Sequence, residues 1–272
     1  MTGLCAEAIR LFLLLSLDAG RRFPDSASAA VSSAATGAAV RAAATEGFRV
    51  MQPDDVLRRY RELRAISAAH QSAALARLSG AALREHAKQL GMLVGTTIVA
   101  DSEEEMTLVF DLAMHSARPG RSRAIDRYAR AAALPAGSIE AQVLEAKRRA
   151  RFSLWRVERR HDVAGLVVTD LIGKRETWLI DEGLTLSAEP GMAFASRLFW
   201  PAEFAMSCGA IVPVEAEVID EFLAGSAVAA LLRVGIDRLP DDPRFAAALY
   251  RAAIDAGAMR RVAYEDPLRL AC

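Results

Sequence analysis

Residues 151–160 read RFSLWRVERR, and four further segments follow closely: AGLVVTDLIG (164–173), RETWLIDEGL (175–184), GMAFASRLF (191–199) and FAMSCGAIVPV (204–214). Each is short, rich in β-branched or aromatic residues, and bounded by turn formers or charges, a pattern that favours strands over helices. Gly173-Lys174 marks a turn between the second and third segments, and Pro190-Gly191 punctuates the entry to the fourth. In the fourth, Met192, Phe194 and Leu198 alternate with Ala193, Ala195 and Arg197. The first three segments are apolar on both parities, so their sheet needs cover on both sides, by barrel closure or by helices. The block 150–213 is therefore expected to form a central five-strand curved antiparallel sheet or small barrel.

The flanks change period. Upstream, Val56, Tyr60, Leu63 and Ile66 fall at helical spacing after Pro53, with Leu75 and Leu78 continuing the face to about residue 79. Shorter helices follow over 81–90, from Ser102 to His115, over 122–133, and from Ser138 to about Arg149, while LVGTTIVA (93–100) suits a brief strand or extended link. Downstream, Val218, Phe222, Ala229 and Leu232 share one face, and Asp242-Pro243 opens another helix that Gly257 ends. The expected class is α+β: a helical N-terminal part, the central sheet, and C-terminal helices packed back on it. Residues 1–50 read as a low-complexity Ala-rich extension, 51–149 as a helical region, 150–213 as the β-module and 214–272 as the C-terminal helices.

Composition restricts the functional classes. The 272 residues are 53% hydrophobic, and 34 basic residues balance 34 acidic ones. A neutral chain gives no support to general nucleic-acid coating or polybasic membrane attachment, so only a local patch could serve either. Cys5, Cys208 and Cys272 form no C-x-x-C and no ligand cluster, which predicts no disulfide framework, no metal and a reducing, cytoplasmic setting. The apolar run Leu11 to Leu17 is far short of the roughly 20 residues a spanning helix needs, so no membrane span is expected.

No phosphate-binding glycine loop, dinucleotide fingerprint, zinc-protease helix or nucleophile elbow occurs, and no cofactor is implied. The four histidines, His70, His86, His115 and His161, are scattered singly and read as surface or helix-packing residues. What stands out is charge: between Arg118 and His161 twelve Lys/Arg face four acids, with Phe152 and Trp155 interleaved. Small barrels bind single strands by pairing a basic groove with aromatic platforms. The expected contact face for an anionic protein or nucleic acid is Lys147, Arg148, Arg149, Arg151, Trp155, Arg156, Arg159 and Arg160. No catalytic residue is assigned.

The alternative is a hydrolase-like enzyme using Asp170, Asp181 and Glu182 between the β-module and the helices. A hairpin around Gly173-Lys174, with partners summing to about 347, sets Asp170 near Thr177 and Asp181 near Leu166. The two carboxylates would then lie about 13 Å apart, too far to share a proton or one metal.

Val167 to Phe199 carries Asp170-Leu171, Gly173, Pro190-Gly191 and Arg197-Leu198. This run resembles the barrel-like module of bacterial proteins that often carry the zinc-binding tail also found on the preprotein translocase motor. The likeness implies the fold of the module and carries no activity across. This chain departs from the pattern at its end, where Cys272 stands without a cysteine-rich tail.

Overall fold

The computed structural model describes residues 52–261 apart from 118, 119, 227 and 234. The expected extension over 1–50, Arg118 of the basic cluster, Cys5 and Cys272 lie outside the described residues. The elements in order are α1 (Pro53–Leu75), α2 (Gly80–Gln89), β1 (Leu93–Val94), β2 (Thr97–Ile98), α3 (Glu103–His115), α4 (Ala124–Ala131) and α5 (Ile139–Arg148). Then come β3 (Arg151–Arg160), β4 (Leu166–Asp170), β5 (Glu176–Leu179), α6 (Glu182–Ser187), β6 (Ala193–Phe199) and β7 (Met206–Pro213). The chain continues with α7 (Ala216–Ala224), α8 (Val228–Leu232), a 3-10 turn over Ile236–Asp241, α9 (Pro243–Asp255) and a 3-10 turn over Ala258–Arg261. This is the expected α+β arrangement, with a five-stranded antiparallel sheet between helical parts.

The sheet order is β5-β4-β3-β6-β7. Long β3 is shared: its first half, Arg151 to Arg156, pairs with β6, and its second half, Trp155 to Arg160, pairs with β4. A bulge between Val157 and Arg159 and another between Ser196 and Leu198 bend the strands. The curvature brings the two edges together at one end. There the Ile180 amide donates to the Ala205 carbonyl at 3.0 Å, and the Ala205 amide donates to the Trp178 carbonyl at 2.7 Å. This parallel bridge touches the sheet's edges without closing a barrel.

Cover on both faces follows from that bend. Trp155, Val157, Leu166, Val168, Leu179, Phe194 and Leu198 form the core inside the curl. On the outer face, Phe152, Leu154, Ala195, Ala210 and Val212 pack against α3, α7 and α9, with the Phe152 ring edge-on to Phe245 and Tyr250. A separate cluster places Val56, Tyr60 and Leu63 of α1 against Phe199, Phe204, Met206 and Cys208.

Two expected details differ. The β4–β5 register sums to 345, with Leu166 opposite Leu179 and Val168 opposite Thr177. The turn is a four-residue loop over 171–174, closed by the Lys174 amide on the Asp170 carbonyl, with Lys174 at φ 54°. A shift of two keeps every side chain on its face, because the strand period is two. The second difference is in α1, which ends at Leu75 and buries Ser67, His70 and Ala74 along the stripe begun by Val56, Tyr60 and Leu63. Ile66, Leu75 and Leu78 are only half-buried. Polar Ser67 and His70 are buried because both have partners: Ser67 accepts from Lys147, and His70 bridges the Tyr128 hydroxyl and the Glu140 carbonyl.

Candidate functional site

The expected basic face does not exist as one surface. Lys147 is fully buried; its Nζ donates to the Ser67 carbonyl at 3.2 Å, Ser67 Oγ at 2.9 Å and Gln71 Oε1 at 3.2 Å. Burial pushes its pKa below the ordinary lysine value, and it pins α5 to α1 where it was expected to meet a partner. Trp155 is equally buried, with its indole Nε1 donating to the Ser196 carbonyl at 3.0 Å. It is core, as its inward parity on a curled strand requires, so it cannot stack on a base. The exposed aromatic beside the cluster is Trp200, 40% exposed, which lines a shallow hollow with Arg149.

The remaining arginines are divided. Arg156 forks onto Glu158 at 2.8 Å. Arg159 and Arg160 are exposed at the far end of β3, where Arg160 donates to the Thr185 carbonyl. Nine residue steps separate Arg151 from Arg160, about 30 Å along a strand. Beside Arg160, His161 stacks on Trp178 at 4.1 Å.

The acids of the enzymatic alternative do not converge either. Asp170 Oδ1 accepts from Ser153 Oγ at 2.6 Å and from the amides of Ile172 and Gly173, fixing the turn after β4. Asp181 belongs to no strand. It caps α6 by accepting from the Leu184 amide, and its other oxygen accepts from Ser207 Oγ at 2.5 Å. Glu182, in the first turn of that helix, pairs with Arg61 at 2.6 Å. Asp170 and Asp181 thus stand at opposite ends of the β4–β5 hairpin.

What the fold brings together is a different set. Asp111 on α3 is buried and accepts from Arg197 Nε at 3.1 Å, Arg197 Nη2 at 3.2 Å and the Tyr250 hydroxyl at 3.1 Å. Two opposite charges, each flanked by apolar neighbours in its own element, have found each other, as buried charges must. Burial, with Asp111 beside it, raises the Tyr250 pKa well above the ordinary tyrosine value. The Asp111 fork uses Nε and Nη2 of Arg197, leaving Nη1 outside it. The guanidinium also lies over the Phe152 ring at 5.6 Å.

Arg197 forms part of the wall of a pocket of about 440 Å³, with His115, Arg123, Arg149 and Arg151 on the other sides and Asp242 and Pro243 at the start of α9. Four arginines reach it from separate elements: the N-cap of α4, the two sides of the α5–β3 junction, and β6. Each is backed by an acid outside the pocket wall. Arg123 pairs with Asp126 at 2.7 Å and Arg149 with Glu145 at 2.8 Å, while Arg151 reaches Asp170 only at 4.0 Å. The one carboxylate in the wall, Asp242, is held below the usual carboxylate range by the Arg244 fork.

Among the described residues, two buried side-chain polar atoms lack a hydrogen-bond partner: His115 Nδ1 and Arg151 Nε. Both residues line this pocket. His115 is 7% exposed, and burial, reinforced by the charges of Arg197, Lys147 and Arg123, drives its pKa well below the ordinary value. It is a neutral imidazole with unused hydrogen-bonding capacity, walled in by cations. An orphaned buried polar group costs about 1–3 kcal/mol, so two beside one pocket call for a reason.

Sequence reading singled out Arg149 and Arg151 of this set and passed over His115 and Arg197. The available signal was a charge in an apolar frame: Arg197 within AFASRLF and Asp111 within TLVFDLAMH.

Among the described residues no group of three or more His, Cys, Asp or Glu is placed to hold a metal. No described helix is long and apolar enough to cross a membrane. No curated protein and no solved structure matches the chain. Residues 54–226, more than half of the chain and most of the pocket wall, match a family of unknown function, DUF7986, and the protein belongs to that family.

Proposed function

We propose that the protein is a binding protein for an anionic partner, and that the anionic group enters the pocket walled by His115, Arg123, Arg149, Arg151 and Arg197. The observation that carries this reading is that His115 and Arg151, each with one unpartnered buried nitrogen, both line one arginine-lined pocket. An anion would supply the missing acceptor for Arg151 and a partner for His115, with charge-assisted bonds from the arginine edges. A volume of about 440 Å³ suits a small ligand or a single anionic group. An extended single strand would need the continuous aromatic-bearing face that burial of Lys147 and Trp155 removes. The enzymatic alternative loses its support, because Asp170, Asp181 and Glu182 each serve a separate structural partner. Cysteine usage favours a cytoplasmic role, with Cys208 a buried free thiol.

The test is saturable binding of inorganic phosphate and pyrophosphate, measured by calorimetry and thermal shift at constant ionic strength. Ligand at a hundred times its Kd stabilises the fold by about 2.7 kcal/mol, and Arg151→Met should weaken binding at least tenfold while leaving the unliganded fold intact. Absence of saturable binding, or equal binding by the R151M variant, overturns the assignment. Retention on single-stranded DNA that saturating pyrophosphate fails to displace would move the contact elsewhere.

A further inference from the structure

The arginine pocket is not an isolated hollow. Ser116, Ala117, Asp242 and Pro243 belong both to its wall and to the wall of a larger groove of about 1220 Å³. That groove runs between α2, α3, α7 and α9, and its sides include Leu78, Ala82, Ala113, Phe222, Ala247 and Ala248. These side chains are small or apolar, so the groove is wide at the backbone and offers hydrocarbon contact. Charged residues lie in the same wall in both signs: Arg121 and Arg127, Glu85 on α2, and Arg244 and Arg251 with Glu221 and Asp255. Arg244 forks onto Asp242 and Arg251 Nε donates to Asp255 Oδ2, both at 2.6 Å, so these two pairs are satisfied within the protein.

We infer that the ligand is a phosphomonoester with an apolar body, its phosphoryl group in the arginine pocket and its body along the adjoining groove. This rests on the anion-pocket reading and extends it. Chemistry selects the phosphoryl group over a carboxylate. A carboxylate offers two oxygens in one plane and a single charge, which one fork satisfies. The donors here come from α3, the N-cap of α4, both sides of the α5–β3 junction, and β6, so they surround their target. A phosphomonoester offers three terminal oxygens in a pyramid and a charge of about −1.5 to −2 at neutral pH, matching that disposition. A neutral His115 carries one N–H and one bare nitrogen, so it meets either protonation state of a phosphoryl oxygen. The apolar body follows from the groove wall, where each seated methylene contributes a factor of about four in affinity.

Calorimetry on the full chain with inorganic phosphate, octyl phosphate and octanoate, below their aggregation concentrations, tests this. Octyl phosphate should bind about fifty-fold more tightly than phosphate if three methylenes are seated, and octanoate should bind much more weakly than octyl phosphate. Ala248→Phe, which fills the groove from α9, should remove the gain of octyl phosphate and leave phosphate binding unchanged. Ala82→Phe does the same from α2 if the first variant fails to fold, which its unfolding midpoint reveals. Equal affinities for phosphate and octyl phosphate overturn the apolar body while leaving the anion pocket standing. Octanoate binding as tightly as octyl phosphate overturns the phosphoryl selectivity. Octyl phosphate binding to the wild type with no detectable phosphate competition overturns the shared pocket, and with it the anion-site reading.

Discussion

Asp111→Ala removes the carboxylate that neutralises Arg197 and leaves a buried guanidinium without its counter-ion. Arg197 is 8% exposed and Asp111 6%, so water cannot readily replace the lost partner. At an effective dielectric near 20, two charges about 4 Å apart attract by about 4 kcal/mol. Removing one partner of a buried pair costs about 3–5 kcal/mol. The Tyr250 hydroxyl also loses its acceptor, although that loss overlaps with the first because Asp111 Oδ2 serves both donors. A loss near 4 kcal/mol is large against the roughly 5–15 kcal/mol by which domains are stable. Urea denaturation followed by tryptophan fluorescence and by far-ultraviolet circular dichroism measures it. With an m-value of about 3 kcal/mol per molar, the midpoint should fall by about 1.3 M. The double variant Asp111→Leu with Arg197→Met, which removes both charges and keeps the volume, should be clearly more stable than Asp111→Ala alone. A loss under about 1 kcal/mol for Asp111→Ala, or a double variant no better than the single, would refute the reasoning that this is a desolvated, mutually dependent pair.

His115 is held neutral by burial and neighbouring cations, so its folded pKa lies below its unfolded value of about 6.5. The unfolded chain then takes up more protons, so stability is intact above about pH 6.5 and falls below it by up to about 1.4 kcal/mol per pH unit from this group; His115→Gln should flatten that acid limb in urea midpoints measured from pH 7 to pH 5. Gly165→Ala places a Cβ 2.3 Å from the Leu179 carbonyl at a φ of +77°, and should lower the thermal midpoint by several degrees. Trp155→Phe should cost about 1–3 kcal/mol through the lost indole bond to the Ser196 carbonyl and the lost contact, yet change phosphate affinity by less than twofold. A tenfold loss of affinity in that variant would return Trp155 to the binding face.

The elements were legible where a local rule fixes them. The helix expected to start at Ser102 does so with the Ser102 hydroxyl accepting from the Glu105 amide; Asp242 before Pro243 opens α9 in the same way. The doubly apolar strands predicted a sheet covered on both faces, and the curl plus C-terminal helices supply that cover. Lys147 misled because a basic residue at a helix end is ordinarily solvated, and only the neighbouring α1 supplies its three acceptors. Asp181 and Glu182 misled because a strand end and a helix cap use the same acidic residues. The pocket was illegible for a different reason. Its wall joins position 115 to 123, 149, 151, 197 and 242, and no spacing rule connects residues that only the tertiary fold assembles.

The contact between Leu179 and Ala205 has a consequence for the behaviour of the chain in crowded solution. An open five-stranded sheet presents two rows of unpaired amides and carbonyls, each a template for a strand of another molecule. Here β5 is only four residues long, and its last residue is paired with the approach to β7. At that end each edge shields part of the other, and along β5 an intruding strand finds little uninterrupted backbone to extend. Bending a sheet until its margins meet thus guards its shorter edge without the additional strands that a closed barrel would require.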